Sequence, residues 1–256
     1  MMQLPVSGFG VTLLPPRGQE DIMLLEAPEL DVSVALALLQ RLATTSGQPL
    51  DPAALAVTDY EALLLGLHGA TFGDRVNAAL TCGTPHCSTQ SEISFGIAEF
   101  IAHNAPRRPH GVTDSVKRGW FRLQGDEESL EYRLPTAGDL AATAGEPEPE
   151  DAVLSRCVEG PPPRGPLRRR LEKAMEAQAP ALSGPMRGRC PGCGATLDFF
   201  FDVQAFVLRA LLDQAGFTYR DTHLLALHYH WPEGEILSMP RNRRMHYAEM
   251  LQAESP

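Results

Sequence analysis

Four of the five cysteines in this chain occur as two closely spaced pairs. Cys82 and Cys87 form a CxxxxC motif, and Cys190 and Cys193 form a CxxC motif. Structural Zn²⁺ sites commonly hold the ion between four thiolates arranged as a tetrahedron. Each pair lies in a short loop that contains glycine and proline, which are suited to the sharp turns that such a site needs. We therefore predict that the four cysteines bind one structural zinc ion.

The segments that follow the two cysteine pairs resemble each other, which indicates an internal repeat. When Cys87 is placed on Cys193, the matching positions are Glu92 and Asp198, Ile93 and Phe199, Phe95 and Phe201, Ile97 and Val203, and Phe100 and Phe206. In each copy an acidic residue precedes alternating apolar positions, a pattern that predicts a strand leading into a helix. We expect the two copies to meet across one metal ion.

The sequence leaves several alternatives for the role and the ligands of this site. A four-cysteine site leaves no open coordination position and is more typical of a folding element than of a catalyst. His86 is an alternative ligand to Cys87, because CxxxH also fits a zinc knuckle. A pair of disulfides is disfavoured because the chain has no secretory signal. Cys157 would then be a spare, buried thiol, which fits a reducing compartment.

Composition and charge limit the classes of function. The chain has 256 residues, enough for one large or two small domains, and a net charge of −10, which argues against nonspecific binding to nucleic acid. Its arginine clusters are predicted to be solvent-exposed: Arg107 with Arg108; Arg164 with Arg168, Arg169 and Arg170; and Arg241 with Arg243 and Arg244. Neither a membrane-length apolar run nor a signal peptide is evident. We expect a cytoplasmic protein without membrane contact.

The predicted fold is α+β and mainly helical. It contains a small four-cysteine zinc ribbon formed by two pseudo-repeated knuckle-strand-helix units, together with a β-hairpin insertion. Four segments are predicted: an extended N-terminal arm, 1–29; a helical half with the first knuckle, 30–104; a hairpin and helical insertion with a Pro-rich loop, 105–180; and the second knuckle with C-terminal helices, 181–256. The arm could instead form an ordered strand against its own core.

Local signals predict several element boundaries within these segments. Thr58 with Glu61, and Thr136 with Asp139, have the spacing of helix capping boxes. Alternating apolar residues on both sides of GDEES predict a β-hairpin, and residues 103–117 are predicted to form a loop. The run EGPPPRGP predicts an irregular linker, because its prolines cannot continue a helix or a central strand.

The sequence contains none of the common catalytic motifs. There is no nucleophile elbow, phosphate-binding loop or HExxH motif, and a deaminase would need PCxxC preceded by HxE or CxE. His228, His230 and Glu233 are unsuited to a second metal site, because residues two apart on a helix face different directions. His68 is predicted to be a partly buried core histidine. We expect a protein that is not an enzyme and has no small-molecule substrate.

A family resemblance is carried by the two knuckles and three other stretches: LLLGLHGATFGDRV, RLPTAGDLAA and LALHYHWPEGEILSMPRNRRMHYAEML. From about Asp51 onward the chain resembles zinc-knuckle accessory proteins of contractile phage tails and phage-tail-like contractile injection systems, which are related to the tailed-phage baseplate hub assembly family. The resemblance implies metal ligands at Cys82, Cys87, Cys190 and Cys193. It also implies a C-terminal helical signature at Trp231, Glu235, Ile236, Leu237 and Arg243 to Tyr247. The first knuckle departs from the family pattern, because CxxxxC replaces CxxC.

The resemblance implies a role in building a baseplate through contacts with hub or wedge proteins. Whether the protein stays in the finished particle is left open. Tyr229, Trp231 and Tyr247 are candidate interface residues, because aromatic side chains often anchor protein contacts. The alternative is a nucleic-acid-binding zinc-ribbon protein in which Arg187 and Arg189 contact phosphate.

Overall fold

The N-terminal residues form part of the main core. The structure is a computed structural model, which describes residues 1–125 and 129–254 and shows a mixed α/β fold with small antiparallel sheets. The first sheet joins β1 (Met2–Gln3), β2 (Gly10–Leu13), β3 (Ala43–Thr45) and β4 (Gln48–Pro49), and α1 spans Gly18–Glu26. Leu4, Val11 and Leu24 are buried in the core. Residues 1–29 are therefore not an extended arm, because their apolar side chains pack against the chain's own helices.

The centre of the core is a helix with apolar residues on all sides. This helix, α3 (Val57–Phe72), follows α2 (Val32–Leu42) and a short 3-10 helix (Pro52–Ala54). Four of its leucines are fully buried: Leu63, Leu64, Leu65 and Leu67. A helix that is apolar all round is surrounded by other elements. Accordingly, α3 packs against α2, α4 (Ile97–His103) and α8 (Val203–Ala215).

Buried carboxylates on α3 bind distant backbone segments. Asp59 accepts hydrogen bonds from the amides of Val6 and Ser7 at 2.8 and 2.9 Å. Glu61 accepts hydrogen bonds from the amides of Leu182 and Ser183 at 2.6 and 3.3 Å. These bonds attach the N-terminal loop and the segment before the second repeat to one helix, and they give both buried carboxylates hydrogen-bond partners.

The capping box predicted at the start of α3 is wrong. The helix begins after Ala56 without a side-chain cap. The Thr58 hydroxyl instead donates to the carbonyl of Pro180 at 2.9 Å, and Glu61 binds the segment that follows it. The two side chains that the local spacing assigned to the cap therefore bind residues that are distant in the sequence.

The two repeats each consist of a β-hairpin followed by a helix. In the first repeat, β5 (Arg75–Thr81) pairs with β6 (Gln90–Gly96), and α4 follows. In the second repeat, β10 (Gly184–Arg189) pairs with β11 (Thr196–Phe201), and α8 follows. The predicted order of cysteine loop, strand and helix is confirmed in both copies.

The middle segment has a second apolar cluster. It contains the three-stranded sheet β7 (Val112–Asp114), β8 (Trp120–Gln124) and β9 (Ser129–Arg133), followed by α5 (Ala137–Thr143), α6 (Pro149–Cys157) and α7 (Gly165–Gln178). The strands of the predicted hairpin are confirmed, and residues 126–128 of its turn lie outside the described residues. Strand β7 falls in the stretch predicted as a loop; it pairs with β8, which supplies its hydrogen bonds. Leu123, Leu154 and Leu171 lie in this cluster.

Helix α5 links the middle segment to the main core. The predicted capping box of Thr136 and Asp139 is confirmed at the start of α5, and Ala137 on this helix belongs to the main core. Burial alone would raise the pKa of Asp139, but hydrogen bonds from Arg133, Thr136 and Arg156 hold it well below its usual range. Residues 105–180 are therefore anchored to the rest of the fold at their midpoint as well as at their ends.

The C-terminal helices form a third apolar cluster. They are α9 (Thr218–Tyr229), α10 (Glu233–Ser238) and α11 (Arg241–Glu254), with Leu225, Ile236 and Leu251 between them. Tyr229 and Trp231 stack with ring centroids 4.7 Å apart, and the Tyr247 ring meets Trp231 edge-on. Within the described ranges 1–125 and 129–254, no helix has the length and apolar character needed to cross a membrane.

A buried cluster of charges attaches α11 to α1. The carboxylate of Asp21 is fully buried and accepts hydrogen bonds from the guanidinium groups of Arg241 and Arg244. Arg244 also donates to Thr218 on α9 at 3.0 Å, and its side chain is 1% exposed. The sequence predicted a solvent-exposed group at Arg241, Arg243 and Arg244, but only Arg243 is exposed. The other two arginines are buried because they neutralise Asp21.

Candidate metal centre

Each cysteine pair lies at the tip of its hairpin. Cys82 directly follows β5, and Cys190 directly follows β10. The Cys82 amide donates to the carbonyl of Thr89 at 3.0 Å, and the Cys190 amide donates to the carbonyl of Ala195 at 2.8 Å. These bonds close the two tips in the same way, although one tip has two more residues between its cysteines. The different spacings, CxxxxC and CxxC, are therefore both compatible with a cysteine loop on a hairpin.

The four sulfur atoms form one compact group. All the Sγ atoms of Cys82, Cys87, Cys190 and Cys193 lie within 4.8 Å of one another. The distance from Cys82 to Cys193 is 3.8 Å, and that from Cys87 to Cys190 is also 3.8 Å. A metal-sulfur bond of about 2.3 Å gives a tetrahedron whose edges are about 3.8 Å long. These two distances fit the edges of such a tetrahedron, so the four cysteines could bind a metal ion.

Hydrogen bonds around two of the sulfurs, those of Cys87 and Cys190, favour the thiolate form that metals bind. At Cys193 the amide of Ala195 alone would lower the pKa of the thiol, but contacts with the other sulfurs raise it to about 11. The Thr89 hydroxyl lies 3.4 Å from Cys87 Sγ, and hydrogen bonds from the hydroxyl and the amide of Thr89 lower the pKa of Cys87 to about 6. The backbone amides of Cys193 and Gly192 lower the pKa of Cys190. The donor set therefore favours a soft cation, and tetrahedral sulfur coordination suits zinc and iron alike.

The two hairpin tips contact each other next to the cysteines. A Cβ atom placed on Gly192 would lie 2.2 Å from Thr89 Oγ1 and 3.1 Å from Thr89 Cβ. Any other residue at this position would require the Thr89 side chain or one of the tips to shift. Cys82 and Cys190 are buried, Cys87 is half-buried, and Cys193 is exposed. The site is thus closed on one side by the paired tips and reaches the surface at Cys193.

Four phenylalanines join the two repeats below the cysteines. Phe95 and Phe201 meet edge-on with ring centroids 5.5 Å apart. Each also packs on a ring of its own repeat: Phe95 on Phe100 at 4.8 Å, and Phe201 on Phe206 at 5.5 Å. Edge-on and offset ring contacts are favourable in addition to the burial of apolar area. The phenylalanines matched by the sequence repeat therefore contact each other directly.

The contacts obey an approximate two-fold symmetry. Exchanging the repeats converts the pair of Cys82 with Cys193 into the pair of Cys190 with Cys87, and both pairs are 3.8 Å apart. The same exchange leaves the pair of Phe95 with Phe201 unchanged. Both observations are typical of a two-fold interface, in which equivalent residues meet at or across the axis. The expectation that the two copies meet at one site is supported by this arrangement.

Other residues considered from the sequence lie elsewhere. His86 is exposed and lies outside the sulfur group, which contains Cys87 instead. Among the described residues, no second group of potential metal ligands occurs, and His228 and His230 are exposed. Cys157 is fully buried, and burial raises the pKa of its thiol to about 11.

Two further side chains named in the sequence analysis have contacts of their own in the structure. His68 is buried and its ring lies 5.0 Å from that of Phe72 and 5.2 Å from that of Phe206, as expected for a core histidine. Arg187 forms an ion pair with Asp198 across the second hairpin at 2.7 Å. Because this pair partly neutralises Arg187, it weakens the case for phosphate binding at this site.

Sequence reasoning missed the threonines beside the sulfurs. Thr84 Oγ1 lies 3.3 Å from Cys82 Sγ, and Thr89 has the same relation to Cys87. A threonine two residues after each cysteine of the first pair is the signal that could have found them. The contact between Gly192 and Thr89 had no such signal, because it joins two distant hairpins.

Comparison of the chain with protein-family models, with curated proteins and with solved structures finds no match. The fold and the site together define a mixed α/β protein with a four-cysteine centre that could bind a metal ion.

Proposed function

We propose that Cys82, Cys87, Cys190 and Cys193 bind one structural Zn²⁺ in a ribbon made of the two hairpins. The observation that carries the proposal is the grouping of four sulfur atoms within 4.8 Å of one another. Zn²⁺ supplies a closed tetrahedral centre that links the two hairpins and leaves no position for substrate. Because the ligands come from repeats about a hundred residues apart, the ion would stabilise the packing of one repeat on the other.

The protein would act through its surfaces and not through chemistry at the metal. We propose a non-enzymatic assembly factor or minor component of a contractile-tail baseplate that binds a hub or wedge protein in the cytoplasm. Support for the baseplate role comes from the resemblance of the knuckles and of the C-terminal stretch around Trp231. Support for a structural centre comes from the four ligands, which fill a tetrahedral coordination shell.

The metal proposal is tested by replacing one ligand. Cys190→Ser should lose the bound zinc and melt at a lower temperature, because three ligands hold the ion less tightly and the repeats are no longer linked. Cys157→Ser is the matched control, since Cys157 lies outside the sulfur group and the variant should keep one zinc per chain. Elemental analysis and thermal melting provide the two measurements. A Cys190→Ser variant that melts like the wild type with its zinc intact would refute the structural role.

The assembly proposal is tested by co-expression with baseplate proteins. The full chain should co-purify with a hub or wedge protein from a contractile tail. Cys190→Ser should weaken this association only to the extent that it unfolds the protein. Failure to associate with any hub or wedge component would refute the baseplate role and leave the zinc site unaffected.

A further inference from the structure

A cavity lies where the C-terminal helices meet the main core. Its volume is about 320 Å³, which is within the size range of small-molecule sites. Its lining comes from residues 14–17, the last turn of α3, α8 and the start of α11. Arg17 and Pro240, which both line it, are joined by an isolated β-bridge. A molecule in this cavity would therefore contact the main core and α11 at the same time.

The polar side chains of the cavity are all uncharged or positively charged. Within residues 1–125 and 129–254, no carboxylate lines it, and the polar side chains that do are Arg17, Thr71, Gln214, Arg241 and Asn242. The chain as a whole has a net charge of −10. A cavity with two arginines and no acidic residue is thus opposite in charge to the rest of the molecule, and it favours an anion.

The guanidinium group of Arg17 has hydrogen-bond donors available for a ligand. Arg17 is exposed, and its Nη1 donates to the carbonyl of Ser238 at 3.2 Å. No carboxylate pairs with it in the part of the chain that the structure describes. A guanidinium group has five N–H donors in a planar fork, which can bind two oxygens of one phosphate or carboxylate group. The single bond to Ser238 leaves most of these donors free.

Arg241 is held rigidly at the cavity by a carboxylate with too little charge for its partners. The side chain is 8% exposed and binds Asp21 through Nε and Nη2. Asp21 also binds Arg244, so one negative charge faces two positive ones. The neighbouring carboxylate of Asp221 already pairs with Arg220. One positive charge therefore remains unmatched in a buried place, where an uncompensated charge is costly.

We propose that this cavity binds a small phosphate monoester with an apolar body, with its phosphate between Arg17 and Arg241. A phosphate monoester carries a charge of about −1.5 to −2 at pH 7. This matches the charge of Arg17 together with the unmatched charge beside Asp21, whereas a carboxylate matches only half of it. The apolar body fits the remaining lining, which includes Leu14 and Phe72. The two helix ends at the cavity, those of α3 and α11, have opposite partial charges that nearly cancel.

The bound ligand would hold α11 against the main core. Its phosphate connects Arg17, which precedes α1, with Arg241, the first residue of α11. A molecule that binds the folded chain and not the unfolded one raises the melting temperature. This inference goes beyond the proposed function and does not depend on the metal centre.

Isothermal titration calorimetry with phenyl phosphate tests the site. The full chain should bind one phenyl phosphate at millimolar concentration and low salt, and the ligand should raise the melting temperature. Inorganic phosphate should bind more weakly because it lacks the apolar body, and phenol should not bind because it lacks the charge. Absence of phenyl phosphate binding, or phenol binding of equal strength, would overturn the proposal.

Two arginine variants separate a defined site from general electrostatic attraction. Arg17→Gln and Arg243→Gln each remove one positive charge from an exposed arginine, but Arg243 is not among the residues that line the cavity. Arg17→Gln should weaken phenyl phosphate binding at least about tenfold, because a charge-assisted hydrogen bond is lost. Arg243→Gln should weaken it by less than about twofold, since exposed charges are screened by salt. Equal weakening by both substitutions would refute the site.

A third variant adds a negative charge to the lining without removing an arginine. Asn242 is exposed, so Asn242→Asp should leave the melting temperature of the ligand-free protein little changed. It should abolish phenyl phosphate binding, because the new carboxylate occupies the arginines and repels the phosphate. Undiminished binding would contradict the proposal. Binding of a phosphoserine peptide or of phosphatidate vesicles, without binding of phenyl phosphate, would overturn the assignment to a small molecule.

Discussion

Replacement of Asp21 by asparagine should strongly destabilise the protein. The substitution removes a negative charge from between two buried guanidinium groups, those of Arg241 and Arg244. The side chains of the two arginines are 8% and 1% exposed, so water cannot replace the lost partner. Within the described part of the chain, Nε and Nη1 of Arg244 already have no hydrogen-bond partner. The carboxylate of Asp21 is therefore the main compensation for these charges.

The expected magnitude is that of a broken buried ion pair. Removing one partner of such a pair costs about 3 to 5 kcal/mol in the free energy of unfolding, because a charge is left buried without compensation. For a chain of this size each 1 kcal/mol corresponds to about 2 to 4 °C, so the melting temperature should fall by roughly 6 to 20 °C. The zinc content that we propose should be unchanged in the folded variant, because the two cysteine hairpins are separate elements from α1 and α11.

Urea unfolding followed by circular dichroism measures the free energy of unfolding of the Asp21→Asn variant. A substitution at the neighbouring carboxylate provides the comparison. Glu20→Gln is the control, since Glu20 pairs with Arg41, whose side chain is 47% exposed. An ion pair with an exposed partner contributes at most about 1 kcal/mol. The two substitutions alter adjacent residues of α1 by the same chemistry and differ in the burial of their partners.

A double-mutant cycle tests the assigned cause. Arg244→Met should lower the free energy of unfolding clearly less in the Asp21→Asn background than in the wild type. In the Asp21→Asn background, Arg244 is a buried charge without compensation, and the substitution removes it. The argument that this charge cluster holds α11 on α1 would be refuted if the two substitutions lowered the free energy of unfolding additively. It would also be refuted if Asp21→Asn alone lowered it by less than about 1 kcal/mol.

Three further predictions concern the repeats and the middle segment. Gly192→Ala should cost about 1 to 3 kcal/mol, because its new methyl group meets Thr89, and Thr89→Ala should restore part of this loss in urea unfolding. Phe201→Ala should cost about 3 to 5 kcal/mol through lost ring packing, whereas the exposed neighbour Phe200, replaced by alanine, should change stability by less than about 0.5 kcal/mol. Asp139 has a lowered pKa in the folded state, so its contribution to stability is present at neutral pH and is lost as the pH falls below its ordinary value of 3.8. Asp139→Asn should therefore show a smaller drop in stability between neutral and acidic pH than the wild type, and equal drops would contradict the pKa argument.

The cysteine centre was predictable because its signals are local. Two short cysteine loops, each followed by the same pattern of acidic and apolar residues, indicated both the four-cysteine group and the repeat. The strand and the helix that follow Cys87, and those that follow Cys193, appear in the structure at the predicted places. Thiol chemistry and strand periodicity are carried by neighbouring residues, so the sequence displays them directly.

The features that escaped prediction depend on contacts between distant residues. Asp21 and Arg241 are 220 positions apart, and each looks like an ordinary surface charge in its own segment. Thr58 and Glu61 have the spacing of a cap, but their partners lie more than a hundred positions away, at Pro180 and Leu182. Local spacing cannot reveal such competition, because tertiary burial decides which hydrogen bond is made.

The position of the cysteines along the chain also determines when the centre can be completed during synthesis. Cys82 leaves the ribosome 111 residues before Cys193, a delay of roughly 6 to 22 s at about 5 to 20 residues per second. During that interval the first hairpin has only two of the four thiolates, and α8 of the core has not yet been made. The four-cysteine group therefore cannot form until the second hairpin has emerged.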